Sequence, residues 1–392
     1  MKVGRSTIHS IFHAGILCTF VCLVPAFSLA QDFDRLPVGV RVQAMGGTGV
    51  ASVAPGEALA INPAWMVAAN SGEVVLHTRG RWNSTPPNAN NGLSISELSS
   101  DFNLDYLAIL LPQGELYGRP FVAGVHAGTP LGLLYREWDS SGEVYTFGPS
   151  LAMQPLDGLN AGVSVNIWRG QYNVEAVELP RDADNGVVLG APRTDLSGVN
   201  ATLGLGFSFW VPPSATFLLG MAVQTPLTLE LHGRPPVPRD DSNISEMYKV
   251  ELPWQVTYGY AFQWKDIVTA SFEFEYRPET SDTPGEQRGF RVGGEYVVLL
   301  GDARIPVRAG VRSVTTRLFR QNKNSAWGWS CGSGVDMNGY RLELAWSSLY
   351  QTDYDAYLEQ SMGLALPSLS DTELGTLSLG VSMPMPFVPT VN

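Results

Sequence analysis

Apolar and polar residues alternate one by one in many stretches of the chain. Residues 203–210 read Leu-Gly-Leu-Gly-Phe-Ser-Phe-Trp, residues 271–276 read Ser-Phe-Glu-Phe-Glu-Tyr, and residues 377–383 read Leu-Ser-Leu-Gly-Val-Ser-Met. Because successive side chains of a β-strand point to opposite faces, this period of two predicts strands with one apolar face and one small or charged face. No stretch after residue 31 has about 18 uncharged apolar residues, so membrane-spanning helices are not predicted.

Fourteen segments can form such strands, and turns rich in Gly and Pro separate many of them. They lie near residues 72–80, 101–112, 119–128, 144–156, 158–170, 199–211, 215–225, 250–262, 264–277, 289–300, 304–314, 327–338, 340–349 and 374–384. Many have the length of about nine to eleven residues that a tilted strand needs to cross the hydrocarbon layer of a membrane. The predicted fold is therefore all-β: a transmembrane antiparallel β-barrel of about fourteen strands.

The links between these strands alternate in length. Links such as 156–158 and 300–304 are short, whereas links such as 81–100 and 171–198 are long and polar. Short turns at one rim and long loops at the other are typical of outer-membrane barrels, in which closure pairs every backbone edge. A soluble all-β sandwich or barrel is the alternative, since its strands also alternate.

The composition fits a chain surrounded by lipid. Charged residues make up 16% of the 392 residues, against about 25% in soluble proteins, and 41 residues are glycine. The formal net charge is −12, from 37 acidic and 25 basic residues. This excess of acid argues against nucleic acid as a partner, because phosphate binding needs a basic surface.

The first thirty residues have the pattern of an export signal. A basic start precedes an uncharged, mostly apolar run at 11–24, and Ser28-Leu29-Ala30 places small residues before a cleavage site after Ala30. We predict a signal peptide over residues 1–30, with a retained membrane anchor as the alternative. Only Cys331 would then remain, so the exported chain would have no internal disulfide.

Residues 31–71 do not alternate and contain many small residues. We predict that they form a compact hatch inside the lumen, followed by the barrel over 72–386 and a tail over 387–392. A short helical turn is expected at 58–61, because a helix would stop at the Asn-Pro pair that follows. The candidate hatch residues are Met45, Gly46, Gly47, Asn62, Pro63 and Ala64.

The hatch segment resembles that of the FadL-type outer-membrane channels for fatty acids and aromatic hydrocarbons, and of their PorV-like relatives. Ala44-Met45-Gly46-Gly47 and Asn62-Pro63-Ala64 are similar to the family's hatch, and Leu252-Pro253-Trp254, Phe272–Tyr276 and Gly293–Tyr296 are similar to its strand motifs. The resemblance covers residues 40–65 and about 250–349. It implies a fourteen-stranded barrel in the outer membrane of a Gram-negative-type bacterium, contact with outer-membrane lipid, insertion by the barrel-assembly machinery and a hydrophobic small-molecule ligand.

Charged residues occupy inward positions on four of five successive predicted strands. If the aromatic side chains of residues 271–276 point to lipid, the acidic residues between them point to the lumen. We name the resulting set the charge ladder. Its members are Glu273, Glu275, Arg291, Glu295, Arg308, Arg312, Arg341 and Glu343. The ladder is either a structural network of paired charges that anchors the hatch or a guide for a carboxylate headgroup.

One long link carries an apolar cluster in an otherwise polar rim. It could collect a hydrophobic ligand or only pack the loop against itself. Its residues are Leu131, Leu133, Leu134, Tyr135 and Trp138.

The sequence predicts no enzyme, no cofactor and no metal site. His77, His126 and His232 lie outside any known metal-binding spacing, and the first two fall on predicted strands. No Gly-x-Ser-x-Gly elbow supplies a nucleophile. Two functions remain open: a channel for the uptake of hydrophobic small molecules such as long-chain fatty acids or hydrocarbons, gated passively by the hatch, and a PorV-like scaffold barrel that moves no solute.

Overall fold

The computed structural model describes residues 33–35, 38–84, 103–129, 131–133, 139–175, 191–233, 246–278, 286–318, 322–351 and 372–385. Within these ranges the chain forms a closed antiparallel β-barrel. Each wall strand pairs with the strands before and after it in sequence, and the last strand pairs with the first, which closes the barrel. The predicted fold class is confirmed.

Fourteen strands make the wall, and we number them β1 to β14 in chain order. They are β1 Glu73–Ser84, β2 Asn103–Leu110 continued by Gly114–Leu116, β3 Arg119–Gly128, β4 Asp139–Leu156, β5 Leu159–Glu175, β6 Ala191–Val211, β7 Ala215–Gln224 continued by Leu227–Gly233, β8 Glu246–Leu252 continued by Gln255–Trp264, β9 Val268–Arg277, β10 Glu286–Leu300, β11 Ala303–Leu318, β12 Asn322–Met337, β13 Tyr340–Gln351 and β14 Thr372–Pro384.

Several strands are longer than the sequence predicts. Strand β4 begins at Asp139 and β6 at Ala191, whereas the alternation of apolar residues begins near 144 and 199. These extensions all lie on the rim where the long links were predicted. Alternation reports only the height at which one face is apolar, whereas backbone pairing continues beyond it. Hydropathy therefore locates the strand but underestimates its length.

The outer face of the barrel is apolar. On β6, Leu203, Leu205, Phe207 and Phe209 are 41–51% exposed, while the glycines between them face inward. Between β8 and β9, Tyr260 packs on Phe272 with ring centroids 5.1 Å apart. A wall whose large apolar side chains point outward needs an apolar surrounding.

The lumen contains residues 38–69, which we call the inner segment. It comprises helix α1 (Val40–Ala44), helix α2 (Pro55–Ile61) and a 3₁₀-helix (Pro63–Ala68). Helix α1 packs on β11 to β14, whereas the 3₁₀-helix packs on β3 to β6. The inner segment therefore touches opposite sides of the barrel. The sequence predicted one helical turn here and missed α1, which is only five residues long.

Two short strands lie outside the wall. Phe33–Arg35 pairs antiparallel with Leu131–Leu133, which belongs to the link after β3. This pairing brings the chain ahead of the inner segment to the rim of the long links. No helix in the described part of the chain is long and apolar enough to cross a membrane.

Candidate lumen site

One carboxylate of the wall holds the middle of the inner segment. Glu273 Oε2 accepts hydrogen bonds from the backbone N–H groups of Gly49 and Val50, each at 2.8 Å. Its other oxygen pairs with Arg291, which also pairs with Glu275. Glu273 is only 4% exposed, so these bonds replace the water that its charge would otherwise require.

A second carboxylate, Glu295, binds the start of the inner segment. It accepts from Arg41 Nε at 3.1 Å and from Arg308 Nε at 2.6 Å. Arg308 Nη1 also lies 2.7 Å from Glu343 Oε1, but the two atoms are not aligned for a hydrogen bond, so this contact is electrostatic. The charges of β10, β11 and β13 and the arginine of α1 thus form one buried network.

Close backbone approach fixes the turn after α1. Gly46 has a φ of +72°, which favours glycine, and a Cβ there would lie 2.7 Å from Val311 N. A Cβ on Gly310 of β11 would lie 2.2 Å from Gly46 N. Ser330 completes the contact, since its hydroxyl accepts from Gly46 N at 2.8 Å and donates to Ala44 O at 3.1 Å.

The opposite side of the lumen holds the inner segment without charge. Asn62 is fully buried, and its Nδ2 donates to Val50 O at 2.7 Å and to Leu205 O of β6 at 3.0 Å. Trp65 Nε1 donates to the same Val50 carbonyl at 2.8 Å. Around these bonds, Leu59, Met66 and further apolar residues of the segment pack on the wall.

Cavities lie on both sides of the inner segment. A cavity of about 100 Å³ faces the rim of the long links and is lined by apolar residues such as Val42, Ile61 and Trp168 together with the amides of β5, β7 and β8. A cavity of about 340 Å³ faces the rim of short turns and is lined by Trp65, Leu218 and polar residues. A third of about 190 Å³ is charged and contains Arg41, Arg304 and Arg341.

Adjacent residues of the inner segment line the first two cavities. Val50 lines the cavity of the loop rim, and its neighbour Ala51 lines the cavity of the turn rim. Glu273 holds the N–H groups of Val50 and of Gly49, which precedes it, and Ala51 follows directly.

The structure places the charge ladder on the inner face. Glu273, Glu275, Glu295, Arg308 and Glu343 are all at most 9% exposed. Arg341 lies nearer the turn rim, 3.9 Å from Asp336, and Arg312 is half-buried on β11. Within the ladder, Glu273 and Glu295 make the hydrogen bonds to the inner segment described above. The alternation in sequence does not distinguish these two residues from the other members of the ladder.

The structure also locates the predicted hatch and loop residues. Met45, Gly46, Gly47, Asn62, Pro63 and Ala64 are all buried between the inner segment and the wall. Of the predicted collecting loop, Leu131 and Leu133 form the strand that pairs with Phe33–Arg35. Residues Leu134, Tyr135 and Trp138 lie outside the described residues.

Sequence analysis missed a group of titratable residues near the closure of the barrel. Arg79 Nη2 of β1 lies 2.7 Å from Asp105 Oδ2 of β2, and His77 Nε2 lies 3.8 Å from Glu57 Oε1 of α2. A register shift between β1 and β2 turns the consecutive residues Asp105 and Tyr106 both inward. Period-two reasoning assigns one of them to lipid, so no signal in the alternation predicts this group.

Burial raises the pKa of Glu57 to about 8, and repulsion by Glu343 adds to this rise, while Arg41 and other arginines oppose it. The carboxyl accepts one hydrogen bond, from Arg41 N at 3.3 Å. Glu57 is only 2% exposed. At neutral pH the folded protein therefore favours the protonated form of this side chain.

Comparison with solved structures identifies the fold. The CymD monoaromatic hydrocarbon channel aligns with a TM-score of 0.61 and 13% identity over 91% of this chain and 99% of that one. A Pseudomonas aeruginosa FadL homologue aligns with a TM-score of 0.58 and 12% identity over 92% and 100%. The Pseudomonas putida toluene transporter TodX aligns with a TM-score of 0.57 and 14% identity over 90% and 100%.

No protein-family model matches the chain, and a sequence search of curated proteins gives no match. The likeness is therefore one of structure rather than of sequence. The three neighbours are described as a monoaromatic hydrocarbon channel, a FadL homologue and a toluene transporter. The chain has the fold of the FadL-type hydrocarbon channels, as the resemblance of its hatch and strand motifs predicted.

Proposed function

We propose that the protein is an outer-membrane channel for the passive uptake of small hydrophobic molecules, and that the inner segment is its hatch. The observation that carries the proposal is that the adjacent residues Val50 and Ala51 of the inner segment line separate cavities that face opposite rims. A solid lumen would give a solute no resting place on either side. An open pore would pass water and ions without selection.

The outer surface supports a place in the membrane. Large apolar side chains such as Leu205, Tyr258 and Leu342 are 51–58% exposed on the outside of the wall. In water such a surface would favour aggregation, whereas in lipid it costs nothing to expose. Export by the predicted signal peptide, cleaved after Ala30, and insertion by the barrel-assembly machinery belong to this proposal.

The cavity at the loop rim supports a compact hydrophobic solute. Its apolar residues offer a surface to a ring or short chain, while its amides and the paired Glu275 and Arg291 give orientation. The cavity of about 100 Å³ is smaller than the roughly 150 Å³ apolar cavity that accommodates benzene, so a ring of this size would have to widen it. Two neighbours by fold are described as a monoaromatic hydrocarbon channel and a toluene transporter, which agrees with a solute of this size. The apolar loop with Leu131 and Leu133 would collect it from outside.

Gating would act on the contact between Glu273 and the stretch 49–51. The carboxylate holds two N–H groups through one oxygen and pairs with Arg291 through the other. Entry of a solute into the adjacent cavity would displace Val50, break these two bonds and open a path to the cavity of the turn rim. No energy source is needed, because the solute moves down its concentration gradient.

Uptake by intact cells tests the proposal. Cells that lack their own hydrocarbon channels would express the protein and receive labelled toluene or labelled oleate. We expect faster toluene uptake than in cells with an empty vector. Gln224→Trp, which fills the cavity of the loop rim, should reduce uptake several-fold. Leu219→Trp is the matched control, since Leu219 lies on the same strand but is 47% exposed on the outside.

Two outcomes would overturn the proposal. If cells with a folded, surface-exposed barrel take up neither solute faster than the empty-vector cells, a PorV-like scaffold explains the fold better. If Gln224→Trp and Leu219→Trp have equal effects, the lumen is not the route. Faster uptake of oleate than of toluene would keep the channel but shift its substrate to long-chain fatty acids.

A further inference from the structure

Three potential metal ligands meet where α2 contacts the wall. Glu57 comes from α2, His77 from β1 and Glu343 from β13, and one ligand atom of each lies within 4.8 Å of the others. The three side chains are at most 4% exposed. They are far apart in sequence, which is why no metal-binding spacing reveals them.

Two of these groups have unused polar atoms. Glu57 Oε2 and His77 Nδ1 are buried and make no hydrogen bond in the described structure. Such atoms are costly to bury, because each loses its bonds to water without replacement. A metal ion is one ligand that would satisfy both. The histidine ring can present either nitrogen to it.

The charges around the cluster leave room for a cation. Arg41 is hydrogen-bonded to Glu295, and Arg308 is shared between Glu295 and Glu343. Glu57 forms no ion pair with a lysine or arginine among the described residues. Arg341 attracts Glu57 without pairing with it, so a bound cation would replace the proton that the Glu57 carboxyl holds at neutral pH.

We propose that Glu57, His77 and Glu343 form a site for a divalent transition-metal ion, best suited to Zn²⁺, that ties the inner segment to the wall. An imidazole nitrogen and two carboxylate oxygens are ligands that Zn²⁺ accepts, with a fourth position left for water. Glu343 can keep its contact with Arg308, because a carboxylate has about four acceptor positions. The site does not depend on the proposed transport.

The ligands need only a small adjustment. Bonds of about 2.0–2.2 Å in tetrahedral geometry place ligand atoms roughly 3.3 Å apart, against separations of up to 4.8 Å here. Rotation of the Glu57 side chain and a slight approach of α2 to the wall would close this gap. Tyr106 steadies α2 during such a shift, since its hydroxyl donates to Gly56 O at 2.7 Å.

Metal titration of the full-length mature barrel in detergent tests the site. After removal of metals with a chelator, Zn²⁺ is added and followed by calorimetry, and Co²⁺ is added and followed by its visible absorption. We expect one high-affinity ion per chain and a tetrahedral Co²⁺ spectrum. His77→Gln and Glu57→Gln should each weaken Zn²⁺ binding at least tenfold.

The matched control is His126→Gln. His126 is also a buried histidine of the inner wall, at 3% exposure, but its ring lies on the other side of Tyr106 and belongs to no carboxylate cluster. The His126→Gln variant should bind Zn²⁺ as tightly as the unmodified protein does. Heat-dependent migration in gels confirms that each variant forms a closed barrel before its affinity is compared.

Hydrogen exchange gives a second, independent measurement. Zn²⁺ should slow exchange in residues 55–61 of the unmodified protein and leave the His77→Gln variant unchanged. The proposal is overturned if the unmodified barrel binds no Zn²⁺ at micromolar concentration. It is equally overturned if folded His77→Gln and Glu57→Gln retain the same affinity, since the ion would then be bound elsewhere.

Discussion

The two sides of the lumen hold the inner segment by different means. The charged wall, strands β9–β13, uses Glu273 and Glu295 as carboxylate acceptors for its backbone and for Arg41. The neutral wall, strands β3–β8, has no buried Asp, Glu, Lys or Arg among the residues that the structure describes. It relies on Asn62, Trp65 and apolar packing instead.

The difference indicates which side would release first. Apolar packing of the 3₁₀-helix on β3–β6 weakens only gradually with distance, so it persists through a small shift of the inner segment. A buried, charge-assisted hydrogen bond is lost within a fraction of an ångström, and its loss leaves a charge unpaired. We infer that the neutral wall anchors the hatch and that the contact of Glu273 with residues 49–51 is the point of opening.

The largest expected loss of local stability comes from removing the contact of Glu273 with the inner segment. Glu273→Ala leaves the N–H groups of Gly49 and Val50 and part of the Arg291 charge unpaired, at a cost of about 3–5 kcal/mol. Hydrogen exchange of residues 45–52 should accelerate by several orders of magnitude. Glu286→Ala is the control, because Glu286 pairs with Arg288 near the loop rim. Equal exchange in both variants would refute the assignment of the opening point.

A smaller loss of local stability is expected when a rise in pH deprotonates Glu57. Because its pKa is raised above that of the unfolded chain, the protonated form stabilises the fold at low pH. That stability is lost as pH rises from about 4.5 through about 8. The charged and titratable groups that face it are Arg41, His77, Arg308, Arg341 and Glu343.

Hydrogen-exchange protection of residues 55–61, measured in the presence of a chelator, should therefore fall between pH 6 and pH 9. Glu57→Gln mimics the protonated carboxyl and should keep its protection across this range. If the unmodified protein and the variant show the same pH profile, Glu57 does not control the contact of α2 with the wall.

The smallest expected loss of local stability comes from a substitution that weakens the contact with the neutral wall. Asn62→Ala removes the hydrogen bonds to Val50 O and Leu205 O and should cost about 1–3 kcal/mol in local stability. Exchange of residues 62–68 is the measurement. Asn160→Ala is the control, since Asn160 lies on the same wall and its Oδ1 has no partner. If Asn62→Ala lowers local stability more than Glu273→Ala does, the neutral wall holds the inner segment more strongly than the charged wall.

Much of the wall was predictable because lipid and strand geometry leave few choices. The alternation at 203–210 gives the outward face of β6, and that at 271–276 places Glu273 and Glu275 together on the opposite face. A charge directed into hydrocarbon would cost about 2–4 kcal/mol for a basic residue near the midplane. Which side chains of a membrane strand face lipid and which face the lumen is therefore strongly determined, even in a single sequence.

The candidate site was less predictable. Alternation cannot show that Glu273 binds Gly49 and Val50, because that contact joins positions more than 200 residues apart. It also fails at Asp105 and Tyr106, where a bulge breaks the period of two. The five-residue helix α1 is too short for a helical period to appear.

The sequence by itself determined the closed wall, its strand number and which residues face outward, since these follow from a local repeat acting in a uniform solvent. Only the tertiary structure decided which inward groups meet. Closure of the barrel brings Glu57, His77 and Glu343 together from three distant segments. Contacts across a lumen depend on strand register and on the path of the inner segment, and neither leaves a period in the chain.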